Sequence, residues 1–311
     1  MLVISLMTGG DIVIFKLLKE TTIVDGNSLK DKITDVIHTI NADKMHKQNI
    51  FGNGVKIAII DTGCSNHDLL NGKILGGKNF TKEGSENDFN DLNGHGTHVA
   101  GIIAANNNPY FCGVAPNVKL LICKALNSRG EGHLDSIINA INFAVDQKVD
   151  IINMSLGCPN NDSGLYNAVK RAVDNNILVV CASGNSGDGN PNTEESDYPG
   201  AYEEVIEVGA IDRKLNVSKF SNVNKFIDLV APGENILSTS IENKYQILSG
   251  TSMATPIVSG ALALIIESTT KDFNRRLSEM ELYATLIKNT KDLNFKKSSQ
   301  GHGMIYFDLN N

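Results

Sequence analysis

Five short runs rich in Val, Ile and Leu set the strongest limit on what this chain can fold into. They are VKIAIID (55–61), NVKLLICKAL (117–126), VDIINMSLG (149–157), ILVVCASGN (177–185) and VIEVGAID (205–212). Their cores are nearly continuous in apolar residues, as strands buried on both faces must be. Between them, HLDSIINAINFAVDQ and GLYNAVKRAVDNN carry apolar residues at helical spacing. This alternation predicts an α/β fold: a mostly parallel central sheet with helices on both faces. Function in such folds gathers beyond the carboxyl ends of the strands. Those ends here read DTG, SLGCP and SGNSG.

A chain of 311 residues that is 41% hydrophobic has ample material for one large core. No internal repeat or linker divides it. The alternation has not begun in residues 1–30, which read as an N-terminal extension to a domain spanning 31–311. The formal net charge of −7 argues against nucleic acid or an anionic membrane as partner, since either selects a basic face. The opening MLVISLMTGGD has no basic n-region and is interrupted by Asp11, so it is not expected to be a signal peptide. No uncharged apolar run reaches the length of a membrane span. A cytoplasmic protein is the expectation. The five cysteines are widely spaced, without a C-x-x-C, and several lie in apolar runs. Buried free thiols in a reducing compartment follow.

Three segments carry chemistry jointly. IAIIDTGC puts Asp61 just after a buried strand, NGHGTHVAGIIAA opens an apolar helix near His95, and LSGTSMATPIVSGALALII puts Ser252 at the start of another. Singly, each has an ordinary structural reading: a turn aspartate, a satisfied histidine, an N-cap serine. Together they supply an acid, a base and a nucleophile in the order Asp, His, Ser. The pair His95 and His98, three apart on one helix face, also raises a metal reading. No H-E-x-x-H pattern supports it, and a third ligand is missing.

IIDTGC, NGHGTHVAG and SGTSMATP match the three active-site motifs of the subtilisin family of serine proteases nearly residue for residue. SLG (155–157) and SGNSG (183–187) match its substrate-binding and oxyanion segments. The chain thus resembles that family from about Ile37 to about Thr290. NVKLLICKAL, QKVDIINMSLG and IDLVAPGENILST are similar to the intracellular subtilisins of spore-forming bacteria. The resemblance implies the subtilisin-like three-layer architecture and serine endopeptidase activity on protein or peptide substrates, with no cofactor for the chemistry. Ser252 Oγ would attack the scissile carbonyl, His95 would move the proton, and Asp61 would orient His95. The Ser252 N–H and the Asn185 side chain would form the oxyanion hole. Losing such a side-chain donor costs about 10²–10³ in turnover, a magnitude that comes from subtilisin itself. His98 is implied to be a packed helix residue.

The resemblance further implies that substrate lies extended between residues 126–132, which include Gly130 and Gly132, and Ser155, Leu156 and Gly157. Ala182, Ser183 and Gly184 would line the S1 pocket, with Asp197 near its far end. Two readings of Asp197 stay open. It could favour basic P1 residues by charge pairing, or it could face solvent or cap a turn. Glu131 carries the same sign near more distal subsites, and Cys158 could narrow the cleft. A structural calcium would match Asp68, Asn106 and Asn108, although both segments are shorter than the family's usual ones. The segment GGDIVIFKLLKE could pair as a strand in the cleft and inhibit it, yet lacks the proline-containing motif of intracellular relatives. A homodimer is implied as well. Two competing functions are a protease dedicated to one leader or propeptide, and a silent pseudoprotease.

Overall fold

The structure is a computed structural model that describes residues 14–16, 22–24, 36–106 and 111–308. Strands β1 (Ile14–Lys16) and β2 (Thr22–Val24) precede two short helices, α1 (Val36–Thr39) and α2 (Ala42–Lys47). Then follow β3 (Lys56–Asp61), β4 (Ile74–Asn79), α3 (His95–Ala104), β5 (Lys119–Lys124), β6 (Glu131–His133) and α4 (Leu134–Asp146). The chain continues through β7 (Ile151–Met154), α5 (Ser163–Asp174), β8 (Leu178–Ala182), β9 (Ile206–Ile211) and β10 (Ile227–Pro232). It closes with β11 (Ile236–Thr239), β12 (Tyr245–Leu248), α6 (Thr251–Phe273), α7 (Glu279–Lys288), β13 (Thr290–Lys291), α8 (Lys297–Gln300) and β14 (Met304–Ile305).

Nine strands form the central sheet in the order β13-β14-β10-β9-β8-β7-β3-β5-β4. All its pairings are parallel except β13 with β14. Strand alternation sends successive side chains to opposite faces. Ile57, Ile59, Leu120, Ile122, Leu178 and Val180 join one core with α3 and α6. Ala58, Ile60, Leu121, Cys123, Val179 and Cys181 join the other, beneath α4 and α5. Each of the five expected strands is present, with at most three residues trimmed from either end.

Strand β3 is flanked by β5 on one side and β7 on the other, so the connections diverge there. This is the topological switch point at which such sheets bind ligands. Asp61 is its last residue. Helix α6 is long and apolar enough to cross a membrane by length and composition. Here it is the core helix, and every residue from Thr251 to Glu267 is buried.

The expected appendage is joined to the rest of the fold by pairing. Strand β1 runs antiparallel to β6, with Ile14 opposite His133, Phe15 opposite Gly132 and Lys16 opposite Glu131. Strand β2 runs antiparallel to β12, with Val24 opposite Tyr245 and Thr22 opposite Ile247.

Candidate active site

Parallel packing brings the end of β3 and the start of α3 together. A Cβ on Gly96 would sit 2.1 Å from Gly63 O, so only glycine lets the helix mouth approach the loop after β3 this closely. His95, the first residue of α3, then reaches Asp61. Its Nδ1 lies 2.8 and 2.9 Å from the two carboxylate oxygens. Asp61 is fully buried and also accepts the Thr62 N–H at 2.7 Å. With Nδ1–H donated to a carboxylate, Nε2 is the nitrogen left to act as base.

Ser252 occupies the first turn of α6. Pro256 has no N–H, so the carbonyl four residues before it, Ser252 O, loses its helical partner. Ser155 supplies one: its Oγ donates to Ser252 O at 2.8 Å. In return Ser252 Oγ donates to Ser155 O at 3.0 Å. Asn153 Nδ2 supports Ser155 Oγ at 3.1 Å and its Oδ1 accepts from Ser259 Oγ at 2.8 Å. Asn185 Oδ1 accepts from the Thr251 N–H at 2.9 Å and from Thr251 Oγ1 at 3.0 Å. These bonds fix the amide so that its Nδ2 is the free end. The expected catalytic residues thus fall into two bonded groups, Asp61–His95 and Ser155–Ser252–Thr251–Asn185. No hydrogen bond joins Ser252 to His95 among the described residues.

The expected substrate segments are β6, with Gly130 just before it and Gly132 inside it, and the buried stretch Ser155, Leu156 and Gly157 after β7. The edge of β6 is paired with β1. Ala182 ends β8, and Ser183 and Gly184 follow it. Asp197 is 3% exposed and lies against this stretch. A Cβ on Gly184, whose φ is +108°, would sit 2.1 Å from Asp197 Oδ2, and one on Gly157 would sit 3.1 Å from Asp197 Cβ. The alternative of a solvent-facing Asp197 is therefore wrong. Burial pushes its carboxyl up to about 6, against the opposing pull of a 3.3 Å hydrogen bond from Asn222 Nδ2. No cation pairs with it among the described residues.

One expectation at the cleft needs correction. Glu131 opens β6, where Arg129 Nε pairs with it at 2.9 Å. Cys158 does not narrow the cleft. Its main chain pairs with that of Tyr198 and its side chain packs into the core beneath α4 and α5. Burial drives its thiol up to about 12. All five cysteines are free, and all but Cys112 are buried.

His98 is fully buried, and its Nε2 lies 3.0 Å from both Ile236 O and Gln246 O. With His95 committed to Asp61, the pair is not a metal site. At the expected calcium segment, Asp68 Oδ2 accepts from Asn243 Nδ2 at 2.8 Å, and the Asn106 N–H donates to Leu69 O at 2.7 Å. Asn108 lies outside the described residues. No cluster of three or more His, Cys, Asp or Glu suited to a metal occurs among the described residues.

Sequence reasoning missed Asp91. It is 1% exposed and accepts from Thr62 Oγ1, Asn93 N and Gly94 N with one oxygen, and from Thr97 N and Oγ1 with the other. It holds the mouth of α3 and so the place of His95. An aspartate just ahead of a helix start was the available signal. Asn222 was missed too. Its Nδ2 donates to Ser183 O at 2.7 Å as well as to Asp197, and its Oδ1 accepts the Ser186 N–H at 2.7 Å. Nothing in SNVN announces this, since the partners are distant in sequence.

Comparison with known proteins agrees with this geometry. The subtilase family, Peptidase_S8, matches residues 52–304. The major intracellular serine protease of Bacillus subtilis (strain 168) is 50% identical over 302 residues, 96% of this chain and 93% of that protein. An intracellular serine protease of Paenibacillus polymyxa is 54% identical over 82% of this chain and 79% of its own length. Subtilisin DY of Bacillus licheniformis is 46% identical over 74% of this chain and 83% of its own. Catalysis in this family needs no cofactor. A family match over most of the chain, on a sheet whose switch point carries a buried Asp–His pair, leads to one conclusion: the chain belongs to the subtilase family and is a subtilisin-like serine endopeptidase.

Proposed function

We propose that this protein is a cytoplasmic endopeptidase that hydrolyses peptide bonds through Asp61, His95 and Ser252, with Asn185 in the oxyanion hole and a preference for basic P1 residues. The observation that carries the triad is the bidentate contact of His95 Nδ1 with buried Asp61. Ser252 Oγ turns from Ser155 O towards His95 Nε2 and attacks the scissile carbonyl as His95 takes its proton. The developing oxyanion is met by the Ser252 N–H at the start of α6 and by Asn185 Nδ2. His95 then delivers the proton to the leaving amine, and water repeats the cycle on the acyl-enzyme. Labelling by a fluorophosphonate tests this. Wild type labels and Ser252→Ala does not; labelling that survives the substitution sinks the assignment.

Support for a basic P1 residue is the unpaired, buried carboxylate of Asp197 against Gly184 and Gly157. A P1 Arg or Lys would supply the missing cation. The extension is read as inhibitory because β1 takes the edge of β6 along which substrate would pair. Cytoplasmic location is supported by the two relatives named as intracellular proteases and by five free cysteines. The same reading leaves nucleic acid and membrane out as partners, on the net charge of −7, and includes a homodimer, which sedimentation would reveal. Calcium enters only as a structural ligand at Asp68 and Asn106. The described residues there offer one carboxylate, which does not by itself make a shell of six to eight oxygens. No step depends on the ion.

A further inference from the structure

Lys124 ends β5 and is only 2% exposed, although lysine is among the residues least often buried. Its Nζ donates to Thr62 O at 2.7 Å. Burial holds its pKa below the ordinary lysine value, while the carboxylates of Asp91, Glu83, Asp88 and Asp61 pull it the other way. A buried ammonium is retained only where neighbouring charge answers it.

Thr62 is the hub of that neighbourhood. Its N–H donates to Asp61 Oδ1 at 2.7 Å and its Oγ1 to Asp91 Oδ1 at 2.9 Å. The same Oγ1 accepts the Gly96 N–H at 2.9 Å, and its carbonyl takes Lys124. One residue therefore links the orienting aspartate, the helix that carries His95, a second buried carboxylate and a buried cation. Two carboxylates, 0% and 1% exposed, flank Thr62 against a single positive charge.

We propose that Lys124 is a positioning residue for the triad: a buried cation, held under Thr62, that offsets Asp61 and Asp91 and so sets the acid limb of the protease's activity. It touches neither substrate nor the reacting atoms. The groups that face this cluster are Asp61 from β3, His95 from α3, Cys64 from the loop after β3, and Glu83, Asp88 and Asp91 from the segment between β4 and α3. Burial keeps the Cys64 thiol neutral. The carboxylates remain, and Lys124 is the cation set against them. Removing the lysine leaves that negative charge beside the triad uncompensated, so activity requires a higher pH.

The inference rests on the triad assignment, and one assay separates the two. The rate of fluorophosphonate acylation is followed across pH for wild type, Lys124→Met and Asp91→Asn, with thermal melting to show that each is folded. The acid limb is expected to rise by about half a pH unit or more in Lys124→Met, from loss of one charge at short range in a partly screened site. It is expected to fall in Asp91→Asn, where a negative charge is lost instead. Melting temperature alone cannot imitate two shifts of opposite sign. Acid limbs that stay in place, or move together, overturn the role of Lys124 while leaving the triad intact. Wild type that is never labelled overturns the triad itself. If Lys124→Met does not fold, Lys124→Gln, which keeps a donor for Thr62 O without the charge, decides: an acid limb that moves up upholds the proposal and an unmoved limb ends it.

Discussion

Asp197 holds a charge in a place built without a counter-charge, and that has consequences for both specificity and stability. Its folded pKa of about 6 stands above the ordinary 3.8. Below pH 6 the carboxyl is neutral and cannot attract a cation. The preference for P1 Arg over P1 Leu is therefore expected to weaken as pH falls through 6, and to vanish in Asp197→Ser at every pH. Paired peptide substrates measure this, and an Arg preference untouched by the substitution rules it out. The linkage has the opposite sense for folding. A raised carboxyl pKa means that the native state binds the proton more tightly, so stability declines as pH rises from 3.8 through 6. The decline amounts to about 3 kcal/mol at this burial. The motifs around Asp61, His95 and Ser252 were legible in sequence because each is contiguous. Lys124 was not. At the end of an apolar strand it reads as a lysine emerging into solvent, and its burial comes from loops that converge only in three dimensions.

Helix α6 works at both ends. Its first turn carries Ser252, and some four turns later Glu267 accepts the N–H groups of Phe51, Gly52 and Asn53 at 2.8, 2.7 and 2.9 Å. That turn feeds β3, whose far end is Asp61. Burial raises the Glu267 carboxyl, but hydrogen bonds from Lys271, Asn53 and Phe51 prevail and hold it down to about 2, against an ordinary 4.5. A depressed carboxyl stabilises the fold above pH 4.5 and loses that contribution as pH falls through 2. The contribution is about 3 kcal/mol. Denaturant melts at pH 7 and pH 3 are expected to show Glu267→Gln destabilised at the first and closer to wild type at the second. An equal deficit at both rejects the linkage. Elements buried on both faces were readable, as β3, β5, β7, β8 and β9 show. Strand β4, ILGGKN, was not: it lies at the sheet edge, half exposed, and its paired glycines leave no continuous apolar run. The hairpin of β11 and β12 escaped because its pattern of burial is set by α3 packing across it.

Across the whole molecule, the first thirty residues are the part whose role the sequence left most open. A missing proline motif spoke against inhibition, whereas backbone pairing needs no particular side chain to occupy an edge. A chain beginning at Ser28 is expected to cleave peptides faster than the full chain, by tenfold or more if β1 blocks most molecules at a given moment. Equal rates would dismiss the inhibitory reading.

The two contacts of that segment, β1 on β6 and β2 on the strand leading to Ser252, belong to one covalent chain. Each spans only three residue pairs. Neither alone is expected to survive dilution, but a short tether presents each to its partner at an effective concentration in the millimolar range. If the segment blocks the cleft, that block is independent of how much protein a cell contains. A single cut between the strands would remove that advantage in one step. The fragment carrying β1 would then dissociate while β2 stays joined to the enzyme, and the release could not be reversed by simply making more enzyme.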